Sequence, residues 1–141
     1  MKPVLIALLS TAFGAGALSG CAMLGRGASP KMNASPVIPA AEGAAKFGKA
    51  KNDNTSVDVT VKHLAHPEKL TPPANNYVVW LRAGKGAPAQ NIGALTVDKN
   101  LVGKLSTVTA LHSFDLFVTA EAAGPVQQPT GQPLLWTSYN N

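Results

Sequence analysis

The residue types that carry most enzyme and metal chemistry are scarce in this chain of 141 residues. His63 and His66 are three positions apart, and positions three apart on an extended strand point to opposite faces. His112, Ser113 and Asp115 resemble parts of a catalytic triad, but neighbours on one strand cannot line up as base, nucleophile and orienting group. We therefore predict no catalytic residue, no metal ligand and no cofactor, and we interpret His63 as a core or strand-end histidine.

The single cysteine has the clearest chemical assignment. Cys21 directly follows Leu18-Ser19-Gly20, and this run resembles the lipobox of bacterial lipoproteins, in which a branched apolar residue and two small residues precede the lipidated cysteine. The small residues let the signal peptidase approach the backbone. The resemblance implies a diacylglyceryl group on the thiol of Cys21. Because each buried acyl CH2 contributes about 0.8 kcal/mol, two or three chains on one residue would hold the protein at a membrane.

The segment before this cysteine has the pattern of an export signal. Met1-Lys2 gives a positive start, and the residues that follow are apolar or small. An ordinary secretory signal ending near Ala15-Gly16-Ala17 and a retained membrane helix are the alternatives, although several glycines disfavour a helix. We predict a cleaved signal peptide over residues 1–20. Since Ala22 and not aspartate follows the cysteine, we expect the outer membrane, facing the periplasm, if the source is Gram-negative.

Composition and charge narrow the fold classes and the kinds of partner that this sequence allows. Charged residues are 13% of the chain, and 13 glycines with 11 prolines favour strands and turns over long surface helices. Nucleic-acid binders usually concentrate basic charge in a patch. Here the formal net charge of +5 is spread along the chain, so we predict no nucleic-acid partner. Residues 21–42 are rich in glycine and proline, show no apolar period and predict a flexible tether.

Residues 43–141 alternate short apolar runs with turn residues, and we predict one folded domain there. Val57, Val59 and Val61 alternate with polar residues, as in a strand with one wet face. Residues 76–82 are apolar on both faces, which predicts a central strand or one under a covering loop. The predicted strands are 44–51, 56–63, 76–82, 92–97, 101–108, 114–121 and 133–139, with turns at 52–54 and 98–100. Seven such strands predict an all-β, immunoglobulin-like antiparallel β-sandwich.

Several pieces of this domain, in their order and spacing, resemble the C-terminal extracytoplasmic domain of anti-sigma-K factors. Members of that family have a Tyr-x-x-Trp strand, a Val-Thr-x-Glu strand and a loop that ends in Pro-Thr-Gly. The matching pieces here are Tyr77-Val78-Val79-Trp80, Val118-Thr119-Ala120-Glu121 and Pro129-Thr130-Gly131. Ala122 stands where the family usually has proline, and this sequence contains no zinc-binding anti-sigma segment, so sigma-factor binding is not carried over. The resemblance implies a β-sandwich sensor or binding module in the cell envelope.

Three functional hypotheses follow from these patterns. The first is a lipid-anchored binding module without catalytic activity. It engages another envelope protein through a sheet edge or through the loop at 124–131, which is rich in glycine and proline. The second is binding of a glycan or cell-wall polymer by exposed Trp80 or Trp136 together with lysines, although core packing is favoured for both indoles. The third is a hydrolase or metal-dependent enzyme. The candidate binding residues are Trp80, Lys85, Gly124, Pro129, Thr130 and Gly131.

Overall fold

The computed structural model of the protein describes residues 29–141, so the predicted signal peptide, the lipobox and the first part of the tether lie outside the described residues. Two short 3-10 helices, Lys51–Asp53 and Pro67–Lys69, interrupt a chain of strands. The strands are β1 (Asn33–Ala34), β2 (Glu42–Lys49), β3 (Thr55–Lys62), β4 (Asn76–Arg82), β5 (Gln90–Val97), β6 (Gly103–Thr109), β7 (Ser113–Glu121) and β8 (Pro133–Asn140). Within the described range, no helix is both long and apolar enough to cross a membrane.

The strand order confirms the predicted all-β sandwich. All pairings are antiparallel, in the order β1-β8-β7-β4-β5-β6-β3-β2. One layer contains β2, β3 and β6, and the other contains β1, β8, β7 and β4. β5 pairs with β4 along most of its length and with β6 at its C-terminal end, so it joins the two layers. This is the order of an immunoglobulin-like sandwich, in which strands A-B-E-D face strands C-F-G.

The core lies between the two layers and follows from the alternation in the strands. Val57, Val59 and Val61 of β3 are at most 1% exposed and face Tyr77, Val79 and Leu81 of β4 across one apolar cluster. Aromatic rings close the side of the sandwich where β2 approaches β8. There the ring centroids of Phe47 and Tyr139 are 4.6 Å apart. Burial of each large apolar side chain contributes roughly 1.5–3 kcal/mol, so the core needs no disulfide.

A second, smaller apolar cluster lies on the outer face of β4 and β7. Val78, Trp80 and Phe117 form it, and Ala89 and Val126 pack against it from two loops. Residues 76–82 are therefore buried on both faces because a loop covers the outer one. This confirms the prediction for that strand, and it decides the environment of Trp80.

The predicted tether is wrong from residue 30 onward, which is more than half of its length. Lys31 bridges to Ala44, and β1 pairs with Trp136 and Leu135 of β8. Met32, Ile38 and Ala41 are at most 7% exposed and belong to the main core. The folded unit thus includes residues 30–42, because their apolar side chains fill the gap between β2 and β8.

The turn at 52–54 has the conformation that its sequence predicts, whereas the β5–β6 turn extends two residues beyond the predicted 98–100, with Leu101 at positive φ. Asn52 and Asp53 both have positive φ, which these side chains tolerate better than most. In the β5–β6 hairpin, an Oδ1 atom of Asp98 accepts hydrogen bonds from the backbone N–H groups of Asn100 and Val102. The hairpin register follows from this turn, since Val97 then pairs with Gly103.

Candidate functional site

The motif residues that resemble the anti-sigma-K pattern come together in one buried hydrogen-bonded network. Trp80 Nε1 donates to Thr119 Oγ1 over 2.9 Å, and that hydroxyl donates to the carboxylate of Glu121. The same carboxylate accepts the hydroxyl and the backbone N–H of Thr130, and the backbone N–H of Gly131 at 3.4 Å. Glu121 has no exposed surface, so this network replaces the water that a carboxylate would otherwise require.

These contacts determine the charge state of Glu121. Burial alone would raise the pKa of this carboxyl group, but the hydrogen bonds from the two threonines and from the two backbone N–H groups outweigh burial and hold the pKa of Glu121 below its usual 4.5. The carboxylate therefore stays ionised at neutral pH and attaches the β7–β8 loop to the sheet.

Gly131 is required by the same geometry. A Cβ atom at this position would lie 2.6 Å from the carbonyl oxygen of Ala120, which no real side chain tolerates. The glycine lets the loop approach the backbone of β7 closely enough for its N–H to reach Glu121. The sequence Pro129-Thr130-Gly131 is thus explained by loop attachment.

The predicted binding residues separate into two groups. Trp80 has no exposed surface, so the hypothesis that it stacks on a sugar is wrong, and its role is to support the outer cluster. Thr130 and Gly131 fix the loop, as described above. Lys85 and Gly124 are exposed at the surface, and Pro129 is half-buried. Of the six residues only Trp80 is buried, since Thr130 is exposed and Gly131 is half-buried. The network that Trp80, Thr130 and Gly131 share stabilises the fold whether or not a ligand binds.

One end of the sandwich carries an apolar groove of about 400 Å³, which we name the end groove. Val37, in the turn between β1 and β2, borders it with 59% of its side chain exposed. Three connections supply its walls: the β1–β2 turn, the segment before β4 and the β7–β8 loop. The lining residues are Val37, Leu70, Thr71, Pro72, Pro73, Ala74, Ala120, Ala122, Thr130, Gly131, Gln132 and Leu134.

A second depression, of about 510 Å³, lies on the part of the outer face that the loop leaves open, and we name it the Trp136 cleft. Trp136 of β8 is 41% exposed and is the cross-strand partner of Phe117. Two pairs further along these strands, Asp115 stands beside Ser138, and Ser138 Oγ donates to Asp115 Oδ1 over 2.6 Å. Arg82 of β4 is the partner of Asp115 on the other side.

The guanidinium group of Arg82 is held over a ring and not in an ion pair. Its central carbon lies 5.0 Å from the centroid of the Phe117 ring, at cation–π distance. Among the described residues, Nε of Arg82 is buried without a hydrogen-bond partner, and the one ion pair within 4.0 Å joins His112 and Asp53. The Trp136 cleft therefore offers the N–H groups of Arg82 as donors and the carboxylate of Asp115 as acceptor, and these two side chains form no ion pair within 4.0 Å.

The histidines and Ser113 do not line either depression, whereas Asp115, the third triad-like residue, lines the Trp136 cleft. His63 follows the last residue of β3, is exposed and has positive φ, which fits a strand-end position and not a core one. β7 begins at Ser113, as expected for a strand entry, and His112 lies 3.8 Å from the carboxylate of Asp53. Within residues 29–141, no three histidine, cysteine or acidic side chains are grouped closely enough to hold a metal ion.

Sequence reasoning missed Val37, Arg82, Asp115 and Ser138 as surface residues of interest. The signal for the last three was strand parity: each lies two positions from an outward-facing aromatic residue, which places it on the same face of the sheet. Val37 had no such signal, because its exposure depends on a turn formed between β1 and β2.

No family model matches the chain, and no curated protein is significantly similar to it. The likeness to anti-sigma-K factors therefore stays a prediction that depends on the quoted motifs, and the geometry of the two depressions carries the functional argument.

Proposed function

We propose that this chain is a lipid-anchored binding module of the bacterial cell envelope, without catalytic activity, which holds another envelope protein in the end groove. The lipid on Cys21 attaches the module to a membrane, in keeping with the lipobox-like run before it. Proteins of this architecture commonly carry their recognition surfaces on the loops at one end of the sandwich, and the end groove lies between such loops.

The observation that carries the proposal is the exposed side chain of Val37 beside a groove with rigid, mainly apolar walls. Pro72 and Pro73 restrict one wall through their fixed φ angles. The opposite wall, at Thr130 and Gly131, is held in place by the carboxylate of Glu121. A preorganised apolar groove loses little conformational entropy on binding, so it suits apolar side chains of a protein partner.

The proposal is tested by photo-cross-linking in intact cells. A photoreactive residue replaces Val37 in the full-length chain, with the leader and Cys21 kept. The matched control replaces Val108, which is 53% exposed on β6 of the opposite layer. We expect one discrete protein adduct from position 37, none from position 108, and loss of the adduct in a Cys21→Ser variant. Equal adducts from both positions, or none from position 37, would remove the end groove as the binding surface.

The hypothesis of glycan binding keeps one specific observation in its favour, which is the exposed indole of Trp136. This indole lies in the Trp136 cleft, which is a different surface from the end groove.

A further inference from the structure

We infer that the Trp136 cleft is a saccharide-binding site, independent of the end groove. Four groups carry this inference: the exposed indole of Trp136, the carboxylate of Asp115, the hydroxyl of Ser138 and the guanidinium group of Arg82. They converge from three neighbouring strands, β4, β7 and β8. A site built on paired strands is held more rigidly than one built on loops.

The indole supplies the apolar part of the site. Trp136 is one of only four large apolar residues with exposed side chains among the described residues, and the other three are aliphatic. An aromatic face carries negative charge density and attracts the C–H groups that line one face of a sugar ring. Within residues 29–141 no loop covers Trp136, which is 41% exposed, whereas Trp80, on the neighbouring part of the same face, has no exposed surface.

The polar groups stand at the distance that a sugar ring spans. Ser138 is two residues from Trp136 on β8, which corresponds to about 7 Å along a strand. The hydrogen bond from Ser138 fixes the orientation of the Asp115 carboxylate and leaves Oδ2 without a partner in the described part of the chain. Arg82 adds N–H donors on the far side of Asp115. A hydroxyl can donate to the carboxylate while its neighbour on the ring accepts from the guanidinium group.

The charges of the cleft select the class of ligand. Arg82 would attract a phosphate or a carboxylate, but Asp115 is its direct cross-strand partner and would repel the same anion. A ligand with many hydroxyl groups and no net charge at the contact satisfies both side chains, because hydroxyls both donate and accept. A neutral saccharide unit of an envelope polymer has this chemistry.

The opposite layer offers a matched control for the polar pair. Ser106 Oγ donates to Asp58 Oδ1 over 2.6 Å, which repeats the Ser138–Asp115 hydrogen bond on the outer face of β3 and β6. In the described residues, no aromatic side chain lies on β3 or β6. If a cross-strand Asp–Ser pair alone bound saccharides, both layers would bind them equally.

The test uses the full-length lipidated protein in a detergent without a sugar head group. The probes are N-acetylglucosamine tetramer, a maltose-type oligosaccharide and soluble peptidoglycan fragments. Binding is measured by calorimetry and by tryptophan fluorescence, in which Trp136 responds and buried Trp80 does not. We expect at least one probe to bind. We expect W136A and D115N to weaken it by about tenfold or more, about 1.4 kcal/mol, and D58N to leave it unchanged.

One further variant and a folding control protect the test from trivial failure. W136F keeps an aromatic face and should bind more weakly than wild type but better than W136A, while an unchanged far-ultraviolet spectrum and a cooperative urea transition report that each variant is folded. The inference is overturned if none of the three probes binds wild type, if W136A and D115N bind as wild type does, or if D58N weakens binding as much as D115N.

Discussion

At the scale of single residues, Glu121 accepts more hydrogen bonds than any other side chain of residues 29–141. It is fully buried, yet it accepts hydrogen bonds from two threonines and from the backbone of the loop. A buried charge is tolerated only when it is satisfied in this way. The loop that covers Trp80 and forms one wall of the end groove therefore depends on a single carboxylate.

Replacement of Glu121 by alanine should destabilise the protein strongly. The change leaves the hydroxyls of Thr119 and Thr130 and two backbone N–H groups without their acceptor, and each unsatisfied group costs about 1–3 kcal/mol. We expect the free energy of unfolding in urea to fall by about 3 kcal/mol or more. Asp58→Ala removes an exposed carboxylate with one hydrogen bond and should cost less than about 1 kcal/mol. Equal losses in the two variants would contradict this account of Glu121.

The lowered pKa of Glu121 predicts how stability depends on pH. Because the pKa of the folded form lies below the usual 4.5, the unfolded chain takes up the proton first as pH falls. The stabilisation is complete above that usual value and is lost as pH falls through the pKa of the folded form. We expect the free energy of unfolding to decrease as pH falls below the usual pKa of 4.5, less steeply in E121Q, which cannot ionise. The same slope in both proteins would show that other carboxylates cause the decrease.

At the scale of elements, alternation and turn residues predicted seven of the eight strands to within two residues of their bounds. Those strands carry their signal locally, in runs of valine, leucine and aromatic residues between turns. β1 was missed because it has two residues and because Met32 and Ile38 follow no period. Its formation depends on pairing with β8, which is about a hundred positions away, and no local pattern reports such a contact.

The residues of the candidate site were less predictable than the strands, because local sequence patterns do not report contacts between distant parts of the chain. Sequence motifs indicated Trp80 and Thr130, which the fold uses to attach a loop. Most exposed residues of the two depressions gave no motif, since exposure depends on which parts of the surface the loops leave uncovered. Thr130 and Gly131, which line the end groove, were candidate binding residues in the sequence. Trp136 was also considered, but core packing was favoured for it, and its 41% exposure shows that preference to be wrong.

Met32→Ala tests whether β1 belongs to the folded unit. The Met32 side chain is 7% exposed and lies where a Cβ atom on Gly43 would approach it to 3.0 Å. Truncation should leave a cavity and lower the free energy of unfolding by about 2 kcal/mol or more. Val37→Ala removes an exposed side chain a few residues later and should change stability by less than about 0.5 kcal/mol. If residues 30–42 were a tether, both variants would unfold like the wild type.

At the scale of the whole molecule, the two outer faces differ in chemistry. The face of β2, β3 and β6 presents mainly serine, threonine, aspartate and lysine side chains. The face of β4, β7 and β8 presents a covered apolar cluster beside the open Trp136 cleft.

The described chain enters the fold where the carbonyl of Pro30 accepts a hydrogen bond from the N–H of Ala45, and it runs from there along β1 toward the end groove. The proposed anchor would thus join the sandwich away from the turn that bears Val37.

The proposed anchor itself predicts where the protein is found in cells. With Cys21 lipidated, two or three acyl chains attach the protein, at about 0.8 kcal/mol for each buried CH2 group. Cys21→Ser removes the acceptor thiol, and we expect the protein to move from the membrane fraction to the wash, while W136A stays with the membrane. The folded sandwich begins after the cysteine, so the stability of residues 29–141 in urea should not change.

Mass spectrometry of the N-terminal peptide should find a diacylglyceryl group on the wild-type chain. Membrane attachment that persists in the serine variant, or an unmodified Cys21 in mature protein, would mean that something other than this lipid holds the module in place.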